Sequence, residues 1–248
     1  MKTTEVFSSK AEKYARYRWE YASQAIQTIF DVAQITSQSS VADIGAGTGI
    51  LTRHFIGKVQ QIFAIEPNLE MRQLAVQALG SYSACHIIDG RAEATTLADG
   101  SVDLITVAQA IHWFEPQPTK TEFLRILKPG GWLAILRNDG TNAEIGKALG
   151  KVYPSETDTL PLMKGRGTPI SFYYGGDSYL KQTFDFTVQQ DWEKFLGALS
   201  SASYAPDEGS PLYASFERAA KQVFDGFSTD GLMVSPAVTE LCLGQIKT

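Results

Sequence analysis

The chain has 248 residues, 44% apolar and 20% charged, enough to bury the core of an α/β domain and too mixed for disorder throughout. Its 22 basic and 27 acidic residues leave a net charge of −5, which argues against a broad electrostatic footprint for nucleic acid. No apolar run approaches the ~20 residues of a membrane helix, Met1–Ser8 has no apolar signal core, and the two cysteines, Cys85 and Cys242, read as buried residues of a reducing compartment, so a soluble, cytoplasmic protein without membrane partners is expected.

Val6 to Ala33 has helical periodicity, with Tyr14, Tyr17, Arg18 and Tyr21 at three- and four-residue steps and Ile26, Ile29 and Phe30 continuing the apolar side. Ser40–Ile44 reads as a buried strand that runs into a glycine-rich turn. A helix over Ile50–Phe55 follows, with Thr48 near its N-cap. Gln61–Ile65 is a second strand. The next helix starts from Asn68, carries Met71, Leu74, Ala75, Ala78 and Leu79 on one face, and stops at Gly80. Ala84–Ile88 and Val102–Val107 are the third and fourth strands. Thr119 and Glu122 have the spacing of a capping box before inward-facing Phe123, Ile126 and Leu127, and Pro129-Gly130-Gly131 ends that helix ahead of a fifth strand, Trp132–Leu136. Strands and helices alternating in this way predict a doubly wound, mostly parallel α/β sheet.

The last hundred residues differ. Tyr153–Asp177, rich in Gly, Pro, Ser and Thr, reads as a long loop or flap, with Phe172-Tyr173-Tyr174 as core of a cap. Phe184, Phe186 and Val188 alternate with polar residues as in a half-exposed strand. Trp192, Phe195, Leu196 and Leu199 make a helix face. Ser210-Pro211 opens another helix with Leu212, Phe216, Ala219 and Val223 inside, and Ala237–Leu243 returns as a last strand. The expected organisation is one domain: an N-terminal helical segment (1–36), a ligand-binding core (37–140), and a helical cap with the last strands (141–248).

The turn Asp43-Ile44-Gly45-Ala46-Gly47-Thr48-Gly49 sits between strand and helix, where open parallel sheets bind ligands. A dinucleotide fingerprint would need its third glycine at Ile50, one residue further on, and no Lys-Ser/Thr pair follows for a phosphate loop. Asp43 would repel a pyrophosphate and attract an ammonium or sulfonium group. Glu66, ending the second strand, stands where an acid accepts both ribose hydroxyls. Together the two acids describe S-adenosylmethionine better than NAD.

Asp43-x-Gly45-x-Gly47-x-Gly49, Glu66, and Leu127-Lys128-Pro129-Gly130-Gly131 before a strand resemble the class I S-adenosylmethionine-dependent methyltransferases. Gln109-Ala110-Ile111-His112-Trp113-Phe114, Phe7 with Tyr14-x-x-Tyr17-Arg18, and Ser201-Ala202-Ser203-Tyr204 are similar to the small-molecule methyltransferases related to trans-aconitate methyltransferase. The resemblance implies a Rossmann-like core in which Gly45, Ala46 and Gly47 pass under the methionine moiety of the cofactor. Glu66 would hold the ribose, Met71 and Pro67 would lie near the adenine, and Tyr14 and Arg18 would cover the cofactor. Gln109 would also border it. Where many relatives place an adenine-reading Asp, this chain has Gly90-Arg91-Ala92-Glu93; Arg91, Ala92 and Glu93 would border the cofactor there, although the Arg91 side chain offers no acceptor.

The same resemblance puts an acceptor beside His112 and Trp113. His112 would orient it or act as base, and Arg137, leaving the fifth strand, would contact it. Arg18 is able to clamp a carboxylate, of cofactor or acceptor. The expected activity is methyl transfer to a small molecule, a carboxylate being one candidate, with S-adenosylhomocysteine as product. The alternatives are a lipid-modifying enzyme of cyclopropane-synthase type, disfavoured by the lack of a basic amphipathic segment, and a non-catalytic S-adenosylmethionine-binding protein. The three histidines and two cysteines lack metal-ligand spacing, so no metal is expected.

Overall fold

The short apolar runs of the first half become strands buried on both faces, which a parallel sheet covered by helices requires. The computed structural model describes residues 10–153 and 165–247. Among them β1 (Ser40–Ile44), β2 (Gln61–Ile65), β3 (Cys85–Ile88), β4 (Val102–Ala108) and β5 (Leu127–Gly140) pair in parallel in the order β3-β2-β1-β4-β5. The sheet then turns antiparallel: β8 (Leu232–Gly244) pairs with β5, and β6 (Leu180–Gln190) pairs with β8, which also carries the short β7 (Ser228–Thr229). This is the expected doubly wound Rossmann-like sheet. Because successive residues point to opposite faces, Val41 and Leu104 enter one core with Ile29 and Phe55, while Ala42 and Ile105 enter another with Phe123 and Tyr173.

The helices are α1 (Ala11–Tyr17), α2 (Ser23–Val32), α3 (Leu69–Leu79), α4 (Pro116–Ile126), α5 (Ala143–Leu149), α6 (Ile170–Tyr174), α7 (Trp192–Ser200) and α8 (Tyr213–Phe227). Phe195 of α7, Phe216 and Phe224 of α8, and Ile145 of α5 form a third core, the cap. No helix among the described residues is long and apolar enough to cross a membrane, and no group of three His, Cys, Asp or Glu among them is placed to hold a metal ion.

Several expected elements differ. The helix read over Val6–Ala33 is two helices, and Val6 and Phe7 lie outside the described residues. Between them the chain extends at Arg18 (ψ 144°) and is held from afar: Asn138 Nδ2 donates to the Glu20 carbonyl, and the Ala22 N–H donates to Thr239 Oγ1. Ile50–Phe55 forms only a 3₁₀ turn over Thr52–Phe55. Thr119 and Glu122 are not a capping box. With Pro116 in its first turn, α4 starts earlier, and the buried Glu122 accepts from Arg125 and from the N–H and hydroxyl of Thr95, contacts that pull its carboxyl down to about 2. Ala78 and Leu212 are exposed rather than inward.

Of the loop read over Tyr153–Asp177, residues 154–164 lie outside the description, and Ile170–Tyr174 is helical. Tyr173 and Tyr174 belong to the sheet core rather than the cap: the Tyr174 hydroxyl lies 2.7 Å from the Cys242 carbonyl and 3.2 Å from that of Leu133. Asn68 does cap α3, its Oδ1 accepting from the Met71 N–H.

Candidate active site

The loops leaving the C-terminal ends of β1, β2 and β4 converge with the α1–α2 segment. After Ile44 the backbone turns sharply, with Gly47 at φ 58° and Gly49 at φ 85°, values that L side chains resist. The two glycines serve different ends. A Cβ on Gly49 would fall 2.5 Å from Leu79 of α3, so this glycine lets the turn pack against the helix. A Cβ on Gly47 would meet only a ring carbon of Tyr14, at 3.8 Å. Gly45 and Ala46 donate their N–H groups to the Ile65 carbonyl, fixing the turn to β2.

Asp43 lies beneath the turn, 1% exposed. Thr106 stands opposite it on β4 and donates to Oδ1 at 2.9 Å, while Thr52 donates to Oδ2 at 2.6 Å. Burial raises the Asp43 carboxyl to about 6 despite both hydroxyls. The acid is therefore the floor of the site, with its oxygens already held, rather than a solvent-facing charge. Glu66 stands at the rim. Its Oε2 accepts from the Gly47 N–H at 2.9 Å and its Oε1 from the Asn68 N–H at 2.8 Å, and burial raises it to about 7. Each carboxylate oxygen has a second lone pair for a hydroxyl donor.

Tyr14, Tyr21, Asp43, Gly45, Ala46, Ile50, Leu51 and Ala108 enclose a cavity of about 10 Å³, on the order of one water. Tyr21, Ile50, Leu51 and Ala108 were not among the sequence-predicted site residues. Tyr21 continues the Tyr14–Tyr17 spacing, the one signal that points to it. The Arg18 guanidinium lies 4.9 Å from the Tyr14 ring centroid, and its buried Nε has no hydrogen-bond acceptor among the described residues. Thr48 Oγ1, in the glycine turn, is likewise buried without a partner among the described residues.

Across from these, Gln109 holds φ 55° after β4, its N–H donating to Leu136 and its side chain to the Asn138 carbonyl. Strain of this kind in a non-glycine residue persists where surrounding contacts over-determine it. His112 and Trp113 lie on the 3₁₀ turn that follows, their rings 5.1 Å apart. Burial and the Arg137 charge lower the His112 imidazole to about 4. Arg137 itself is exposed, 2.8 Å from Asp139 and 3.6 Å from Glu240, so it reaches the site as a neighbouring charge with acids of its own.

On the other side of the turn Pro67 is half-buried and Met71 is buried in α3. Arg91 is exposed, with its backbone bridged to Ala94, and Ala92 is buried. Glu93 accepts from the Glu115 N–H at 2.8 Å, which commits one of its oxygens to the entry of α4.

Residues 42–135, which span this turn and the parallel half of the sheet, match the family model of the methyltransferase domain. That match covers less than half of the chain. An uncharacterized methyltransferase of Mycobacterium tuberculosis is 35% identical over 150 residues, covering 58% of this chain and 59% of that protein. The chain thus spans well under two thirds of that relative's length. An uncharacterized methyltransferase of Schizosaccharomyces pombe is 26% identical over 238 residues, 90% of each chain.

Among solved structures, a protein provisionally described as a type II methyltransferase from Anaeromyxobacter dehalogenans superposes with a TM-score of 0.63 at 18% identity, over 93% of this chain and 98% of that one. Geranyl diphosphate C-methyltransferase from Streptomyces coelicolor, solved with Mg²⁺, geranyl diphosphate and S-adenosylhomocysteine, superposes at 0.51 with 11% identity, over 91% and 78% of the chains. At these identities the two structures establish the fold. Within the matched residues Asp43, the three glycines and Glu66 lie together, whereas His112 and Trp113 stand on the facing loop.

Proposed function

We propose that this chain is a single-domain S-adenosylmethionine-dependent methyltransferase whose acceptor is a small molecule carrying a carboxylate. The observation that carries the cofactor is the Glu66 carboxylate held against the Gly47 N–H, beside a glycine with room at its Cβ position. The residues fit such a cofactor chemically. Glu66 would accept from the ribose hydroxyls and Arg18, whose Nε lacks an acceptor, would take the methionine carboxylate, while Thr48 offers a further unpaired hydroxyl. When bound, the cofactor supplies a methyl group activated on a sulfonium. Tyr14 and Tyr21 present aromatic faces that favour a cation by roughly 0.5–2 kcal/mol, and Asp43 adds a buried acid beneath them.

The carboxylate acceptor is supported by His112. An imidazole lowered to about 4 is neutral at pH 7 and a weak base, poorly matched to removing a proton from a hydroxyl or amine. A carboxylate needs no base. His112 then orients the acceptor while the Arg137 charge favours an anion, and Trp113 walls the site from water; alignment of this kind supplies roughly 7–11 kcal/mol of a barrier. The motif resemblance to trans-aconitate-type enzymes supports the same class of small acid.

Isothermal titration with S-adenosylhomocysteine, with NAD as control, tests the cofactor. Transfer of labelled methyl to a panel of small organic acids, against matched alcohols and amines, tests the acceptor. Binding of S-adenosylhomocysteine alone together with base-labile methyl esters is expected. Equal binding of NAD, or methyl transfer only to alcohols or amines, would overturn the reading.

A further inference from the structure

Helix α1 has seven residues, too few to be stable in water unaided, so its place over the glycine turn is set by tertiary ties. Three of these ties are exposed: Lys13 with Glu208, Arg16 with Glu193 at 2.9 Å, and the Tyr17 hydroxyl with Glu193 at 2.7 Å. Ion pairs in water contribute little, about 0–1 kcal/mol each.

Lys10, just before the helix, is different. Its side chain is 7% exposed, and its ammonium donates to the carbonyls of Ala202 and Ala205, with Ser203 O at 3.4 Å and Asp207 at 3.7 Å. Those carbonyls belong to the turn that follows α7 and includes Ser201-Ala202-Ser203-Tyr204, a motif that the cofactor site does not use. Burial lowers the Lys10 pKa and Asp207 opposes the shift. One turn further along the helix, Tyr14 meets Gly47 and lies under the Arg18 guanidinium.

We propose that Lys10 is a positioning residue for the cofactor site: seated in the Ala202–Ala205 carbonyls, it fastens α1 to the cap so that Tyr14 and Arg18 stand over Gly47. The proposal rests on the glycine turn binding S-adenosylmethionine. Its consequence is that α1 and the cap turn after α7 move as one lid. Tyr14 forms one wall of the cavity above Asp43, so the Lys10 seat governs how that wall is held against the glycine turn.

Lys10→Met keeps the stem and removes the ammonium. At a temperature where circular dichroism shows both proteins fully folded, the variant should bind S-adenosylhomocysteine about tenfold more weakly. Its KM for the cofactor should rise by a similar factor, with kcat less affected. A purely structural lysine would lower the melting temperature and leave the affinity of the folded protein unchanged, which would overturn the proposal.

Hydrogen exchange on the unsubstituted protein provides the second test, should the variant fail to fold. S-adenosylhomocysteine should slow exchange at the amides of residues 11–17 and 202–205 together, and protection confined to the glycine turn would refute the lid. If the unsubstituted protein binds no S-adenosylhomocysteine, the cofactor reading falls first and takes this proposal with it. Binding by the unsubstituted protein with equal affinity in Lys10→Met removes this proposal alone.

Discussion

Replacing Glu66 by Gln separates what the carboxylate does for the fold from what it does for the ligand. Burial raises Glu66 from 4.5 to about 7. The folded state therefore holds a proton that the unfolded chain has lost, and stability falls as pH rises through that window. At about 1.36 kcal/mol per unit, the penalty reaches about 3 kcal/mol above pH 8 and is absent near pH 4. Gln does not titrate, so its stability relative to wild type should climb by up to that amount between pH 4.5 and 8. Against this, the Gln amide turns an NH₂ toward one of the two donors now at 2.9 and 2.8 Å, and an unsatisfied buried donor costs about 1–3 kcal/mol.

The two terms together predict a variant less stable by up to about 2 kcal/mol at pH 5, and equal to wild type or more stable by up to about 2 kcal/mol at pH 8. Ligand binding has no such compensation. Charge-assisted bonds are worth about 1.5–3 kcal/mol each, so losing the equivalent of one at the ribose should weaken S-adenosylhomocysteine by about 30-fold. Urea unfolding at the two pH values and calorimetric titration at pH 8 measure both quantities. A parallel pH dependence for the two proteins would refute the burial argument, and wild-type affinity would refute the ribose assignment.

Arg18→Met removes a guanidinium whose Nε is unsatisfied and keeps its stem; stability by thermal melting should change by under about 1 kcal/mol while S-adenosylhomocysteine binding weakens at least tenfold, and unchanged binding would place the carboxylate elsewhere. Gly49→Ala combines φ 85° with a Cβ 2.5 Å from Leu79 and should cost about 2 kcal/mol or more in urea unfolding. Gly47→Ala has strain but space, so its loss should be about 1 kcal/mol in stability and far larger in cofactor affinity; equal stability losses would show that the two glycines do the same job. His112, lowered to about 4 from 6.5, contributes stability that is present above pH 6.5 and lost as pH falls toward 4. His112→Gln should therefore lose less stability than wild type on acidification through that range, followed by melting temperature.

Much of the fold was legible because its signals are local. The central strands β1, β2 and β4 are short, predominantly apolar runs, a pattern that burial on both faces favours, and their ends fall within a residue of the reading. The order of Asp43, the glycines and Glu66 marked the turn now proposed for the cofactor in the same way, since conformational freedom and charge belong to residue types. Tertiary structure decided what those residues touch. Helical periodicity runs unbroken through Tyr17, Arg18 and Tyr21, yet the helix ends there because Asn138 and Thr239, 118 and 217 residues from their partners, take up backbone groups of Glu20 and Ala22. The same distant contacts swing Tyr21 into the site. Asp43 is a floor rather than an exposed charge because Thr106, 63 residues away, stands opposite it on β4. Glu122, spaced as a cap, is instead turned inward onto Thr95. Periodicity and turn chemistry act within a few residues and can be read along the chain. A buried polar group must find its partner wherever the fold brings one within reach, and that distance is set by packing rather than by sequence separation.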